Sequence, residues 1–220
     1  AQRVDSFIAN SPEVAQRISD CYHREAAIIP PPVDTSRYHI SAVQEPFFLI
    51  VSRLVPYKRL DIAIEACNTL RLPLKIIGTG RDRRHLERLA GPTVELLGWL
   101  PDEQVRLALA RCQAFISTGE EDFGLAMLEA QASGRPVIAY GAGGARSSVI
   151  EGITGLFFYQ QTAEALMDAL RSFQANQFDP QRIRRHAETF DAARFRQRVM
   201  QHICARLSRS DEIQQAALTP

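Results

Sequence analysis

Two glutamates, Glu121 and Glu129, stand eight residues apart in Gly119-Glu120-Glu121-Asp122-Phe123-Gly124-Leu125-Ala126-Met127-Leu128-Glu129-Ala130. If a helix follows that turn, eight residues is about 80° past two full turns, and Glu129 faces roughly the side of the turn bearing Glu121. Each carboxylate can accept two hydroxyl hydrogen bonds, so a pair along one side of a ligand suits a polyhydroxylated molecule. Spacing alone also fits two solvated glutamates on an exposed helix. A second pair is cationic: Arg53 and Lys58 flank a turn that leads from an apolar run into a helix. Arginine can grip a phosphate bidentately while lysine adds a mobile point charge, and a helix N-terminus already favours anions. As residues alone they fit two solvated loop cations as well. Gly78-Thr79-Gly80 is a third feature. Arg83 stands where the dinucleotide fingerprint needs its third glycine, so the signal for NAD is weak, but such a loop lets backbone approach a nucleotide.

These residues need elements to place them. Phe47 to Ser52 is a continuous apolar run, as in a strand buried on both faces of a parallel sheet. Leu74–Ile77, Val94–Leu97, Ala114–Ser117, Pro136–Ala139 and the run ending at Phe158 read as further strands. Between them the pattern predicts helices over 60–70, 81–90, 101–111 (apolar set Val105, Leu107, Leu109) and after Asp122, a plausible N-cap. Gly134 reads as that helix's C′ residue, and Thr162 caps a helix to Phe173. Helices over 179–189 and 191–207 follow. Strands alternating with helices predict an α/β protein with a doubly wound, Rossmann-like parallel sheet and a ligand crevice at the strand carboxyl ends. Residues 1–45 read as a connecting segment (strand, helix from Pro12, strand, proline-led loop, polar linker). Residues 46–175 read as the nucleotide-binding domain, 176–209 as C-terminal helices and 210–220 as a tail.

The 220 residues are 45 % apolar with net charge +1, enough for one full α/β domain and without a global field for nucleic acid or an anionic membrane. Arg81, Arg83 and Arg84 form either a local basic patch or a solvated helix face. Four scattered cysteines and five dispersed histidines show no zinc spacing, so no metal ligand is expected and buried thiols in a reducing cytoplasm are. No signal peptide is expected, and no apolar run in the sequence approaches 18 residues.

The E-x7-E pair, with Phe123-Gly124-Leu125 inside it and Ala132-Ser133-Gly134-Arg135-Pro136-Val137 after it, resembles the signature of retaining glycosyltransferases of family 4. The resemblance runs from about residue 5 to about residue 175 in family order. It implies the C-terminal, donor-binding half of a GT-B fold that uses a nucleotide-sugar. By resemblance, Arg53 and Lys58 hold the donor diphosphate in place of a metal ion, and Glu129 the ribose hydroxyls. Glu121 takes the donor sugar, helped by amides near Phe123, Gly124 and Leu125, while Trp99 and Leu100 border the base. No cofactor is implied beyond the GDP- or UDP-sugar substrate. The acidic turn looks most like mannosyl-transferring members, which use GDP-mannose. Two departures stand out: Pro31-Pro32 where the family often has Asn-Gly, and Gly143-Gly144-Ala145-Arg146-Ser147 where it commonly has G-G-x-x-E, an acid following only at Glu151.

The resemblance implies transfer of a sugar to an acceptor hydroxyl, on a glycan or lipid-linked sugar, with retention. The cations stabilise charge left on the diphosphate. The acceptor domain would lie N-terminal to Ala1, so the chain is expected to bind donor and catalyse little alone. The expected location is cytoplasmic, with a peripheral membrane contact through the other half. Two other readings stay open: a non-catalytic nucleotide-sugar-binding module, and a GT-B relative such as an epimerase or a phosphorylase, or an NAD-binding Rossmann domain.

Overall fold

The structure, a computed structural model, describes residues 3–216, with side chains through residue 208. Its centre is a six-stranded sheet of β3 (Phe48–Val51), β4 (Leu74–Ile77), β5 (Val94–Gly98), β6 (Ala114–Ser117), β7 (Val137–Tyr140) and β8 (Gly155–Phe158). All neighbours are parallel, in the order β5-β4-β3-β6-β7-β8. The chain therefore winds outward from β3 in one direction, returns beside β3 as β6, and winds outward in the other. Between β3 and β6 the following loops part to opposite sides, and there a doubly wound sheet opens its ligand crevice.

The strands read as apolar runs because they are covered on both faces. Phe48, Ile50, Leu74, Ile76, Ala114 and Ile116 pack into one cluster with α2 (Leu60–Leu70) and α7 (Ala163–Ser172). Their neighbours Leu49, Ile77, Phe115, Val137 and Ala139 pack into a second, with α4 (Asp102–Arg111), α5 (Leu125–Ala132) and the one-turn α6 (Ala145–Ser148). Alternation along each strand thus divides the core between two layers. The helix after β4 is shorter than its charge pattern suggests: α3 covers Arg83–Leu89. Leu107 of the expected α4 stripe is 43 % exposed, while Leu109 is fully buried. Cys67 and Cys112 are buried, and burial pushes both thiols up to about 12. Arg83 of the basic stretch pairs with Glu87 at 2.7 Å, one turn on along the solvated face.

The connecting segment folds as β1 (Phe7–Ala9), α1 (Pro12–Tyr22) and β2 (Ala26–Ile28), the two strands forming a separate parallel pair. α8 (Pro180–Glu188) and α9 (Ala192–Ala216) close the chain; α9 returns to the segment, where His202 bonds Ser6 at 2.9 Å. Of the tail expected over 210–220, residues 210–216 lie in α9 and 217–220 lie outside the described residues. The polar stretch after β2, which reads as a linker, is clamped. The Thr35 hydroxyl donates to Asp191 at 2.6 Å, and Arg184 donates to the carbonyls of Tyr38, Thr35 and Ala132 at 2.8, 3.1 and 2.6 Å. This clamp brings Tyr38 over the sheet edge where the crevice opens.

Candidate functional site at the sheet switch point

Two loops meet at the switch point. After β3, Leu54 is fully buried; its amide donates to Thr79 O at 2.9 Å and its carbonyl accepts from Asp82 N at 3.0 Å. With Leu54 anchored, Arg53 on one side and Tyr57 on the other are left exposed, and Arg53 Nη2 donates to the Tyr57 hydroxyl at 2.8 Å. The chain then turns through a single 3-10 turn, Pro56–Lys58, into α2. After β6, Thr118 donates its hydroxyl to Lys58 O at 2.8 Å, and the bare Gly119 lets the Lys58 backbone lie against it. Lys58 reaches across and bonds both oxygens of Glu121 at 2.6 Å.

Glu121 is not on the helix. It bridges to Gly143, and its carbonyl accepts from Gly144 N at 2.6 Å. The helix α5 starts only after Gly124, whose φ of +92° supplies the left-handed turn that swings the chain upward. The expected N-cap Asp122 therefore caps nothing; it pairs instead with Arg17 of α1. Because Glu121 stands ahead of α5, an eight-residue helical count does not relate it to Glu129. Glu121 meets Lys58, whereas Glu129 lies in the second turn of α5 and meets the Tyr38 hydroxyl.

The result is two adjoining hollows. One, of about 400 Å³, is lined by Tyr38, Arg53, Trp99, Leu100, Arg106 and Glu129, together with Gly78 and Thr79. The other, of about 410 Å³, is lined by Arg53, Tyr57, Lys58, Glu121 and Phe123 through Leu125, with Asn10 and Pro31 from the connecting segment. Arg53 lines both, the hollow that holds Glu129 and the hollow that holds Glu121. Trp99 is 73 % exposed, a flat apolar face at the rim of the first hollow, and Leu100 packs beneath it against the core. Pro31 borders the second hollow with no amide to donate. Glu151, the acid that follows the Gly143–Ser147 turn, does not enter: it accepts from Tyr159 at 2.8 Å.

Gly78 and Gly80 also let one backbone lie against another. A Cβ at Gly78 would lie 1.9 Å from Ser52 O, and one at Gly80 would lie 2.1 Å from Leu54 O. Backbone meets backbone here, so the glycines let the β4 loop seat the Arg53 loop. Gly78 also lines the first hollow.

These observations give a concave site lined by two cations and two carboxylates, on a doubly wound sheet. The profile of the group 1 glycosyl transferases matches residues 35–190, well over half of the chain. The chain belongs to that family. Among curated relatives, D-inositol 3-phosphate glycosyltransferase of Geodermatophilus obscurus is 29 % identical over 221 residues, covering 84 % of this chain and 49 % of that protein. The lipopolysaccharide core biosynthesis glycosyltransferase LpsE of Rhizobium meliloti is 29 % identical over 194 residues, covering 80 % and 55 %. The chain thus spans about half the length of such relatives. In fold it is similar to sucrose-phosphate synthase of Thermosynechococcus elongatus, with TM-score 0.85 and 22 % identity over 94 % of this chain and 59 % of that one. It is also similar to Anabaena HepE in complex with UDP and glucose, with TM-score 0.80 and 21 % identity over 91 % and 63 %.

In this group 1 glycosyl transferase the described residues hold no cluster of three or more metal-ligating side chains, and no described helix is long and apolar enough to cross a membrane. Sequence reasoning missed Arg37, Tyr38, Asp102 and Arg106, which wall the first hollow; Arg37 and Asp102 pair at 2.9 Å on its rim. Burial pushes the Glu129 carboxyl above its ordinary value, and the Tyr38 hydrogen bond only partly offsets this. Burial and the Glu129 charge together push the Tyr38 hydroxyl up as well. A raised folded value means that folded Glu129 holds its proton more tightly than the unfolded chain does. Stability then falls as pH rises from the ordinary value of 4.5 through the raised one. Glu129→Gln keeps a partner for Tyr38 and loses the buried charge. It is expected to melt a few degrees higher than wild type at pH 7, with the difference vanishing at pH 4, in paired thermal melts.

Proposed function

We propose that this chain is the donor-binding half of a retaining, family 4 glycosyltransferase that transfers a sugar from a nucleotide-sugar to an acceptor hydroxyl in glycan, polysaccharide or glycolipid synthesis in the cytoplasm. The observation that carries the reading is Arg53, which lines the Glu129 hollow and the Glu121 hollow at once. A nucleotide-sugar is shaped to that arrangement: a base and ribose, two linked phosphates, then a sugar. The Trp99 face and Leu100 border the base, and Glu129 accepts from the ribose hydroxyls. Arg53 and Lys58 hold the diphosphate, and Glu121 accepts from the sugar hydroxyls beside the amides of Phe123, Gly124 and Leu125.

Chemically, breaking the bond between the anomeric carbon and the diphosphate leaves negative charge on the diphosphate and an oxocarbenium-like sugar. Two cations that already hold the diphosphate when the bond breaks stabilise that charge, and no metal ion is required for it. The acidic turn around Glu121 favours mannose as the transferred sugar, with GDP as the carrier. Titration calorimetry of the chain with GDP, UDP, ADP and NAD tests the reading. One diphosphate should bind selectively, and Glu129→Ala should weaken it at least tenfold through loss of the ribose hydrogen bonds to a charged acceptor. Binding of NAD in preference to all three diphosphates would replace a transferase site with a dehydrogenase-like one.

A further inference from the structure

Lys58 and Glu121 form an ion pair with little room to separate. Both Glu121 oxygens lie 2.6 Å from the ammonium, and the side chains are only 15 % and 23 % exposed. The Arg17–Asp122 pair beside it, by contrast, keeps 59 % and 64 % of its exposure. The backbones are fixed too: Thr118 bonds Lys58 O, and the Gly144 amide bonds Glu121 O. With its backbone held, Glu121 keeps its carboxylate facing the hollow that Lys58 lines. It must either keep its cation or find other donors in the hollow.

Resting on the donor-site reading above, the two possible occupants of that hollow differ in what they offer. Lys58 has three N–H donors, two of them on Glu121, so a diphosphate on Arg53 and Lys58 takes the third and competes with Glu121 for the others. The sugar of a nucleotide-sugar then brings neutral hydroxyl donors to the carboxylate. A free nucleoside diphosphate brings none. Its terminal phosphate instead carries further negative charge near neutral pH, since the second ionisation of a phosphate monoester falls at about 6. That charge faces a half-buried carboxylate with Glu120 close by. We propose that the Lys58–Glu121 pair discriminates against the free diphosphate: Lys58 changes partner when donor binds, and Glu121 rewards the sugar and expels the product. The same pair would then select substrate on entry and hasten product release after transfer.

Calorimetric titration of the 220-residue chain with UDP, UDP-glucose, GDP and GDP-mannose, repeated on Glu121→Gln, tests this. For the base that binds, Glu121→Gln should hold the free diphosphate about tenfold tighter, the effect of removing one nearby like charge in a partly screened site. It should hold the nucleotide-sugar no tighter than wild type does. Glu121→Asp, which keeps the charge, should keep the wild-type order of affinities. Equal shifts of both ligands in Glu121→Gln, or weaker diphosphate binding, overturn the proposal. Arg53→Ala run in parallel separates the two levels. Arg53-dependent binding with an unmoved ratio sinks only the discrimination, whereas binding that ignores Arg53, or no binding at all, sinks the donor site with it.

Discussion

Arg53→Ala is expected to weaken nucleoside diphosphate binding by about a hundredfold while leaving the melting temperature close to that of wild type. The side chain is exposed and spends one donor on the Tyr57 hydroxyl, so the fold asks little of it. The position of its backbone is a different matter, set by the buried Leu54 next to it. A charge-assisted, two-pronged contact to phosphate contributes roughly 1.5–3 kcal/mol, and the upper part of that range is a hundredfold in affinity. Arg53→Lys should recover part of the loss, since it keeps the charge and gives up the fork. Lys58→Ala should weaken binding comparably but also destabilise the chain by about 1–3 kcal/mol, because it strands the half-buried Glu121 without its cation. The pattern across three variants, in calorimetry and thermal melts, distinguishes a ligand-gripping arginine from a structural one. Unchanged affinity in Arg53→Ala would place the diphosphate elsewhere on the sheet.

What the sequence disclosed, it disclosed through local rules. Phe48–Val51 and Ala114–Ser117 are apolar without interruption because helices cover both faces, so the strands and the loops after them could be found. Arg53, Lys58 and Glu121 follow those strands directly, and chain order alone puts them at the switch point. Tyr38 and Arg37 were hidden for the opposite reason. They sit in an irregular stretch that no periodicity marks, held in place by Arg184, a residue 146 positions beyond Tyr38. Glu121 lies in the turn where the sequence places it, but helical spacing does not carry through that turn. Eight-residue spacing speaks of a helix only if both residues are on it, and Gly124 in a left-handed conformation starts α5 too late to include Glu121. A glycine immediately before the apolar Leu125 was the available signal. The glycines at 78 and 80 show the same limit: spacing marks a position where a side chain is forbidden, but not what occupies the space.

That occupied space sets the other large effect. Gly80→Ala is expected to cost at least about 3 kcal/mol of stability, the upper end of the usual point-mutant range or beyond. Its new Cβ would lie 2.1, 2.6 and 2.7 Å from the carbonyl oxygen, carbonyl carbon and amide nitrogen of Leu54. None of these is the end of a flexible side chain. Leu54 cannot retreat either, because its amide and carbonyl are bonded to Thr79 and Asp82 and its side chain is fully buried. The β3 and β4 loops must part, breaking those hydrogen bonds and carrying Arg53 with them, so nucleotide affinity should fall along with stability. Gly78→Ala should be at least as damaging, since a φ of +138° adds backbone strain to a 1.9 Å approach to Ser52 O. Gly152→Ala provides the control: φ there is +72°, with nothing within 4 Å of the added methyl. It should cost only the left-handed penalty of about 1 kcal/mol and leave binding alone. Urea unfolding of the three variants would measure the difference. If Gly80→Ala and Gly152→Ala shared a midpoint, close backbone packing would not be what seats the Arg53 loop.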